Sequence, residues 1–434
     1  MRLPVVPGLI PILLALSLLP TPLRAAANAA ELEARVAALE SELQTLTSEL
    51  ATLRNNSAPV PSPVGAASPE GAASPGHTVR PDPVVRSAQS WFGYGELNYT
   101  RPSNDPAQAR ADLARFVVGL GYRFDERTRL QSELEIEHAV SSASDPGEVE
   151  VEQAYIEHEL GPSVRAKMGL FLIPSGLLNA NHEPTRYYGV FRNFVETAII
   201  PSTWREGGVG LQGDTRGGLR WDVGLTTGFD LSRWDASAPQ GADSPLRSIH
   251  QELALAHAAE LSTYLAADYL GSPGLRVGAS VFIGGAGQRQ PGLGNNRVTL
   301  WEAHTRWQPG RWDLAALYAH GHISNTAAVN AGLLGNPTLI PQNFYGWYGE
   351  AAWRGWRQRR WPLTPFVRFE RFNTAASYST LASGLTPAAL STHRAISVGV
   401  QLELAPGVIV KADYVDLATP ADGDRIDLGL GYEF

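Results

Sequence analysis

From Trp91 to Phe434 polar and apolar residues exchange places at nearly every step, in sixteen separate stretches. A side chain that changes face residue by residue belongs to a β-strand. The stretches are 91–100, 111–124, 129–138, 149–160, 164–172, 207–214, 218–228, 259–270, 275–283, 297–307, 311–320, 344–355, 363–373, 394–405, 408–417 and 425–434. Some are unambiguous: Phe116, Val118, Leu120, Tyr122 and Phe124 alternate with Arg115, Val117, Gly119, Gly121 and Arg123. Others, above all 207–214 and 259–270, are weak. The last sets Ile426, Leu428, Leu430, Tyr432 and Phe434 against Asp427, Gly429, Gly431 and Glu433. A strand that ends with one face wholly apolar points to lipid, and so to a barrel in the bacterial outer membrane.

The links support closure. They read as alternating short and long without exception, with tight turns such as Gly161-Pro162-Ser163, Gly271-Ser272-Pro273-Gly274, Gln308-Pro309-Gly310 and Pro406-Gly407 at every second position. The longer ones are 173–206, 229–258, 284–296, 321–343 and 374–393. An even strand number brings both termini to the short-turn side, which in such barrels is the periplasm. Trp301, Trp307, Trp312, Trp347, Trp353, Trp356 and Trp361 fall near strand ends, where interfacial girdles lie. The fold class expected is all-β: a sixteen-stranded antiparallel transmembrane β-barrel, 91–434, preceded by a short α-helical coiled coil. Membrane lipid and lipopolysaccharide would surround it.

The N-terminus fits that address. Arg2, the apolar run Leu9 to Leu19 and the small residues Ala25 to Ala30 read as a cleavable signal peptide, 1–27, too short to be a membrane anchor. With no cysteine, disulfides, thiolate metal sites and a lipidated cysteine are excluded. A net charge of −8 argues against nucleic acid as a partner. Within 28–54, Leu32, Val36, Leu39, Leu43, Leu46, Leu50 and Leu53 keep the spacing of a coiled-coil seam. A lone amphipathic helix lying on the barrel is the other reading. Residues 55–90 are rich in Pro, Ala, Ser and Gly, the composition of an extended spacer, and contact with peptidoglycan is a role that composition leaves open.

A ring of sixteen strands is wide enough for water, so its inward side chains are expected to line a path for solutes instead of packing together. By phase, the candidates are Arg115, Arg123, Glu133, Glu135, Arg165, Lys167, Arg220, Arg276, Arg368 and Lys411, with Arg394 less certain in phase. Lys167 and Lys411 are the only lysines among 35 basic residues. Rows of bases attract anions. Glutamates on 129–138 and 149–160 (Glu150, Glu152, Glu157 and Glu159) form an acidic strip beside them, which could equally pair across strands and stiffen the wall. The link 173–206, read as the longest, holds His182, Glu183, Arg186, Tyr187, Tyr188, Arg192, Glu196, Trp204, Arg205 and Glu206. It is the candidate constriction, against the alternative of a loop that only closes the outer mouth.

Phe92-Gly-Tyr-Gly-Glu-Leu-Asn-Tyr99, Gln153-Ala-Tyr-Ile-Glu157, Gly169 through Ile173-Pro174, Asn181-His-Glu-Pro184, Glu196 to Pro201, Trp204-Arg-Glu-Gly-Gly208 and Gly224-Leu-Thr-Thr-Gly228 together resemble the phosphate-selective porin O/P family. The resemblance covers most of 91–434 and is densest between 150 and 230. It implies a trimeric sixteen-stranded porin with an anion-binding lumen, and many relatives of that kind carry an N-terminal coiled coil. The anion-binding bases are matched here by phase alone. Two other classes compete with a porin. A hydrolase would need a Ser–His–acid group, and His320, His322, Ser324, His250 and His257 form no motif, so no enzyme and no cofactor is expected. A cell-wall tether anchored by the barrel is the remaining alternative.

Overall fold

The computed structural model describes residues 88–356, 361–382, 384–418 and 423–434, and in the N-terminal part Ala37, Ser41, Gln44 and Ser48. Those four are helical and exposed. The signal peptide, the seam Leu32 to Leu53 and nearly all of the linker lie outside the described residues. The chain divides into two compact units, Met1–Pro83 and Val84–Phe434, and the second carries the strands.

Sixteen strands form: β1 Gln89–Pro102, β2 Arg110–Arg123, β3 Thr128–Glu137, β4 Val149–Gly161, β5 Val164–Leu172, β6 Arg205–Asp214, β7 Leu219–Thr226, β8 Ser262–Ser272, β9 Leu275–Gly285, β10 Arg297–Trp307, β11 Trp312–Ile323, β12 Asn343–Trp353, β13 Leu363–Ser377, β14 His393–Ala405, β15 Val408–Ala418 and β16 Arg425–Glu433. Each pairs antiparallel with its neighbours in sequence, and β1 closes on β16 from Tyr94↔Glu433 to Pro102↔Arg425. A closed ring leaves no strand edge unpaired, as hydrocarbon requires. The two weakest stretches of the sequence are β6 and β8, held by neighbours on both sides. Phase follows the pattern: Arg115, Val117, Gly119 and Gly121 point inward, while outward Leu134, Met168, Ile426, Leu428 and Leu430 stay exposed. No helix among the described residues is long and apolar enough to cross a membrane.

The short links lie at one end of the ring, the turn end. There Gly218, Gly274, Gly310 and Gly407 take φ of +82°, +72°, +61° and +78°, a left-handed backbone that a Cβ would strain. Every turn-end link is shorter than the loop-end links on either side of it, so the alternation holds. Two other expectations change. The third long link is 173–204 and not 173–206: Arg205 and Glu206 already pair with Leu172 and Phe171 in the sheet. The longest link is then the next one, 227–261, because β7 stops at Thr226 and β8 starts only at Ser262.

The interior is not all water. Phe171, Trp204, Phe229, Leu246, Ile249, Phe282, Leu300 and Phe344 are fully buried in one apolar cluster, built from inward wall residues and from the links 173–204 and 227–261. Trp204 stacks on Phe229 at 5.3 Å between ring centroids and meets Phe282 edge-on at 4.6 Å. At about 1.5–3 kcal/mol for each large apolar side chain buried, such a cluster holds both links inside the ring. This corrects the expectation of an interior that lines a path without packing.

Candidate functional site

The candidate site is the lumen where link 173–204 crosses it. This link is bound to side chains of at least eight strands. On β1 and β2, Glu96 accepts from Tyr187 Oη at 2.6 Å, and Arg115 donates Nη2 to the His182 carbonyl at 2.5 Å. His182 Nε2 lies 2.7 Å from both Tyr94 Oη and the Glu152 carboxylate. Tyr188 Oη donates to Asp313 of β11 at 2.8 Å, and the Phe194 amide to Glu370 of β13 at 2.7 Å. On β15, Asp413 accepts from the Val190 amide at 2.6 Å. Lys411 Nζ donates to the Gly189 carbonyl at 2.8 Å while lying 3.7 Å above the Tyr187 ring. On β16, Glu433 accepts from Thr185 Oγ1 at 2.5 Å. The link therefore lies within the ring and spans it, instead of covering its mouth.

Glu196 holds the far limb of the link. Its Oε2 accepts the Leu177 and Leu178 amides at 2.8 and 2.7 Å, and its Oε1 accepts Asn193 Nδ2 at 3.0 Å and Tyr348 Oη of β12 at 2.8 Å. Burial pushes this carboxyl above its usual value against the pull of those donors. Gly176 lets the amides close in, since a Cβ there would sit 2.4 Å from Glu196 Oε2, and its φ is +74°. Burial beside Glu96 also pushes the Tyr187 phenol up.

Most of the inward bases are matched to carboxylates. Arg115 Nε pairs with Glu96 at 2.8 Å, and Lys167 with Asp222 at 2.6 Å under the Phe171 ring. Arg165 and Arg220 share Asp214 at 3.1 and 2.9 Å, and Arg276 binds Asp268 through two nitrogens at 2.6 and 2.9 Å. Arg368 lies between Glu370 at 2.7 Å and Glu350 at 3.3 Å. Arg394 is 3.7 Å from Asp416. Arg192 donates to Thr203 Oγ1 at 3.1 Å, and Glu206 accepts Trp204 Nε1 at 3.1 Å and Thr227 Oγ1 at 2.5 Å. Arg205 reaches Glu150 and, at 3.0 Å, Glu252, across a gap where β4 and β5 stop pairing beyond Ala154↔Leu170. Arg123 is exposed at the turn end, and Arg186 stays half exposed, 3.5 Å from Glu183 and 3.4 Å from Glu433.

Glu133 and Glu135 face inward opposite Gly119 and Val117. Beside them β4 carries a bulge at Glu152, so that Glu152 and Gln153 share the inner face. The slip was readable in the sequence, because the outward residues change from Val149 and Val151 to Ala154 and Ile156. Sequence reasoning did not single out Glu96, Asp313, Glu370 and Asp413 as the wall's anchors for the link. Their inward phase was legible, but which loop atom would reach them was not.

A cavity of about 480 Å³ opens at the turn end beside the apex of the link, between Arg186, Tyr188, Arg306, Arg354, Gln401 and Glu403. A smaller one of about 180 Å³ lies on the other side, at Arg165, Pro174, Gln212, Arg220 and Asp268.

No established family profile matches the chain. Over 362 residues it is 30% identical to an uncharacterized protein of Aquifex aeolicus (strain VF5), with 81% of each chain covered. In fold it is similar to Salmonella typhi OmpF, solved in complex with daunomycin, at 12% identity and a TM-score of 0.52 over 80% of this chain and 97% of that one. The outer membrane channel DcaP of Acinetobacter baumannii aligns over 80% of this chain and 97% of its own at 13% identity, with a TM-score of 0.49.

Proposed function

We propose, for a chain that belongs to one family with the uncharacterized Aquifex aeolicus protein, that it is an outer-membrane porin through which small hydrophilic solutes diffuse. The observation that carries this is the link 173–204, bound to at least eight strands inside a closed ring of porin type. A barrel used only as an anchor has no need of a fastened internal constriction. The site reads as a passage: most of its carboxylates are held by arginine, lysine, amide and phenol donors.

The finer reading is a preference for anions such as phosphate. It is supported by the half-exposed Arg186 at the apex and the exposed Arg123 at the rim. The pairing of most bases with carboxylates, Arg186 included, holds that preference to a modest one, since a neutralised pair presents little net field to a passing ion. The same reading has the termini in the periplasm, a signal peptide at 1–27, a coiled coil at 28–54 that ties three barrels into a homotrimer, and a spacer at 55–90. Reversal potentials across planar bilayers in a salt gradient test the selectivity: anion preference with chloride current reduced by added phosphate is expected, and cation preference contradicts it.

A further inference from the structure

The cavity at the turn end holds polar groups that the fold itself leaves unused. Asp313 is fully engaged: it accepts Arg306 Nε and Nη2 at 2.9 and 2.8 Å, Tyr188 Oη at 2.8 Å and Gln308 Nε2 at 2.9 Å. Around this hub the remaining lining groups are not engaged in the same way. Arg354 follows β12, and its Nε has no hydrogen-bond partner among the described residues; its Nη2 is taken by the Trp312 carbonyl at 3.1 Å. Gln401 on β14 has a buried amide oxygen, Oε1, equally without a partner. Glu403 lies two residues further along the same face. Tyr188 forms a platform between the walls, stacked on Phe366 of β13 with centroids 6.0 Å apart. Buried polar atoms without partners are rare, and several around one cavity mark a place where a solute or water completes them.

The unused groups differ in sign from strand to strand. A donor, Arg354 Nε, stands just past β12, with Nη1 of the same guanidinium 3.9 Å from Asp313, and acceptors, Gln401 and Glu403, lie on β14. The strands that carry them, β12 and β14, are separated only by β13, so at about 4.8 Å per strand spacing the two walls stand about 10 Å apart. We infer that this cavity is a subsite for zwitterionic solutes of amino-acid to dipeptide size: a carboxylate is received by the guanidinium of Arg354, and an ammonium by Gln401 Oε1 and the Glu403 carboxylate. A simple anion satisfies only the first wall. Contacts as few as these are weak enough to let the solute leave again, as conduction demands.

The inference rests on the porin reading, and one experiment separates the two. Full-length protein in liposomes is compared for swelling in glycylglycine, in the uncharged solute erythritol and in succinate, for the native chain and for Glu403→Gln and Gln401→Leu. Folding of each variant is checked by its shift on unheated gels. Glycylglycine is expected to enter faster than erythritol. Each substitution should lower that ratio by about two- to fivefold, the range an exposed ion pair commands. Entry of all three solutes with no advantage for glycylglycine, or an advantage for succinate that Glu403→Gln leaves unchanged, overturns the subsite while the porin reading stands. No swelling with any solute overturns both.

Discussion

At the scale of single residues, the charges of the lumen serve first to hold the link and only then to meet solutes. Lys411 shows the difference: its phase was legible in the sequence as an inward base, yet its ammonium is spent on the Gly189 carbonyl and the Tyr187 ring. Removing the acceptor or donor of one such buried bond leaves its partner unsatisfied, at a cost of about 1–3 kcal/mol. His250 makes the same dependence visible in pH. It is buried in link 227–261, which lowers its pKa to about 4, with Arg205, Arg247 and Arg233 adding to that shift and Glu252 opposing it. Above its ordinary value of about 6.5 the ring is neutral whether the link is docked or open. Below that, the open form takes a proton that the docked form refuses. Docking is therefore complete above about pH 6.5 and weakens as pH falls towards about 4. Hydrogen exchange of the amides in 227–261 should speed up relative to the strands between pH 7 and pH 5. His250→Gln should remove that pH dependence, and a profile unchanged by the substitution would speak against it.

At the scale of elements, the strands were legible and the placing of the loops was not. Period two survives in β2, β13 and β16 because one face meets lipid and the other does not, and even β6 and β8 kept enough of it to be found. What period two cannot carry is the third dimension of a link. The composition of 173–204 suited a constriction and a lid alike, and the decision came from Asp413, Glu370 and Asp313, residues distant in sequence that accept its amides and phenols. The boundary slipped by two residues for a similar reason: Arg205 and Glu206 look like loop charges until Leu172 and Phe171 pair with them. A chain without cysteine offers a direct check on the loop. Val190→Cys together with Asp413→Cys should form a disulfide on mild oxidation of the protein in membranes, read as a gel shift reversed by reductant. A loop lying over the outer mouth would leave both thiols free to alkylating reagents.

At the scale of the whole molecule, the ring divides its interior between two uses. Along β5 and β8 to β13 the loop end is packed with Trp204, Phe229, Phe282 and their neighbours, a close-packed core that holds the links. Towards the turn end the interior is open and polar, with ion pairs along its wall and cavities of about 480 and 180 Å³ on either side of the loop apex. On the proposed porin reading, water and small solutes have their narrowest passage beside residues 183–192, and the size of that passage is set by how tightly Glu96, Lys411, Asp413 and Glu433 hold them. Current through single channels in planar bilayers measures this directly, with the native chain set beside a variant in which 184–191 are replaced by a short glycine linker. Discrete steps from the native protein, and larger steps from the shortened one, are the result this account predicts. Steps of equal size would place the constriction elsewhere, and no steps from either protein would contradict the channel itself.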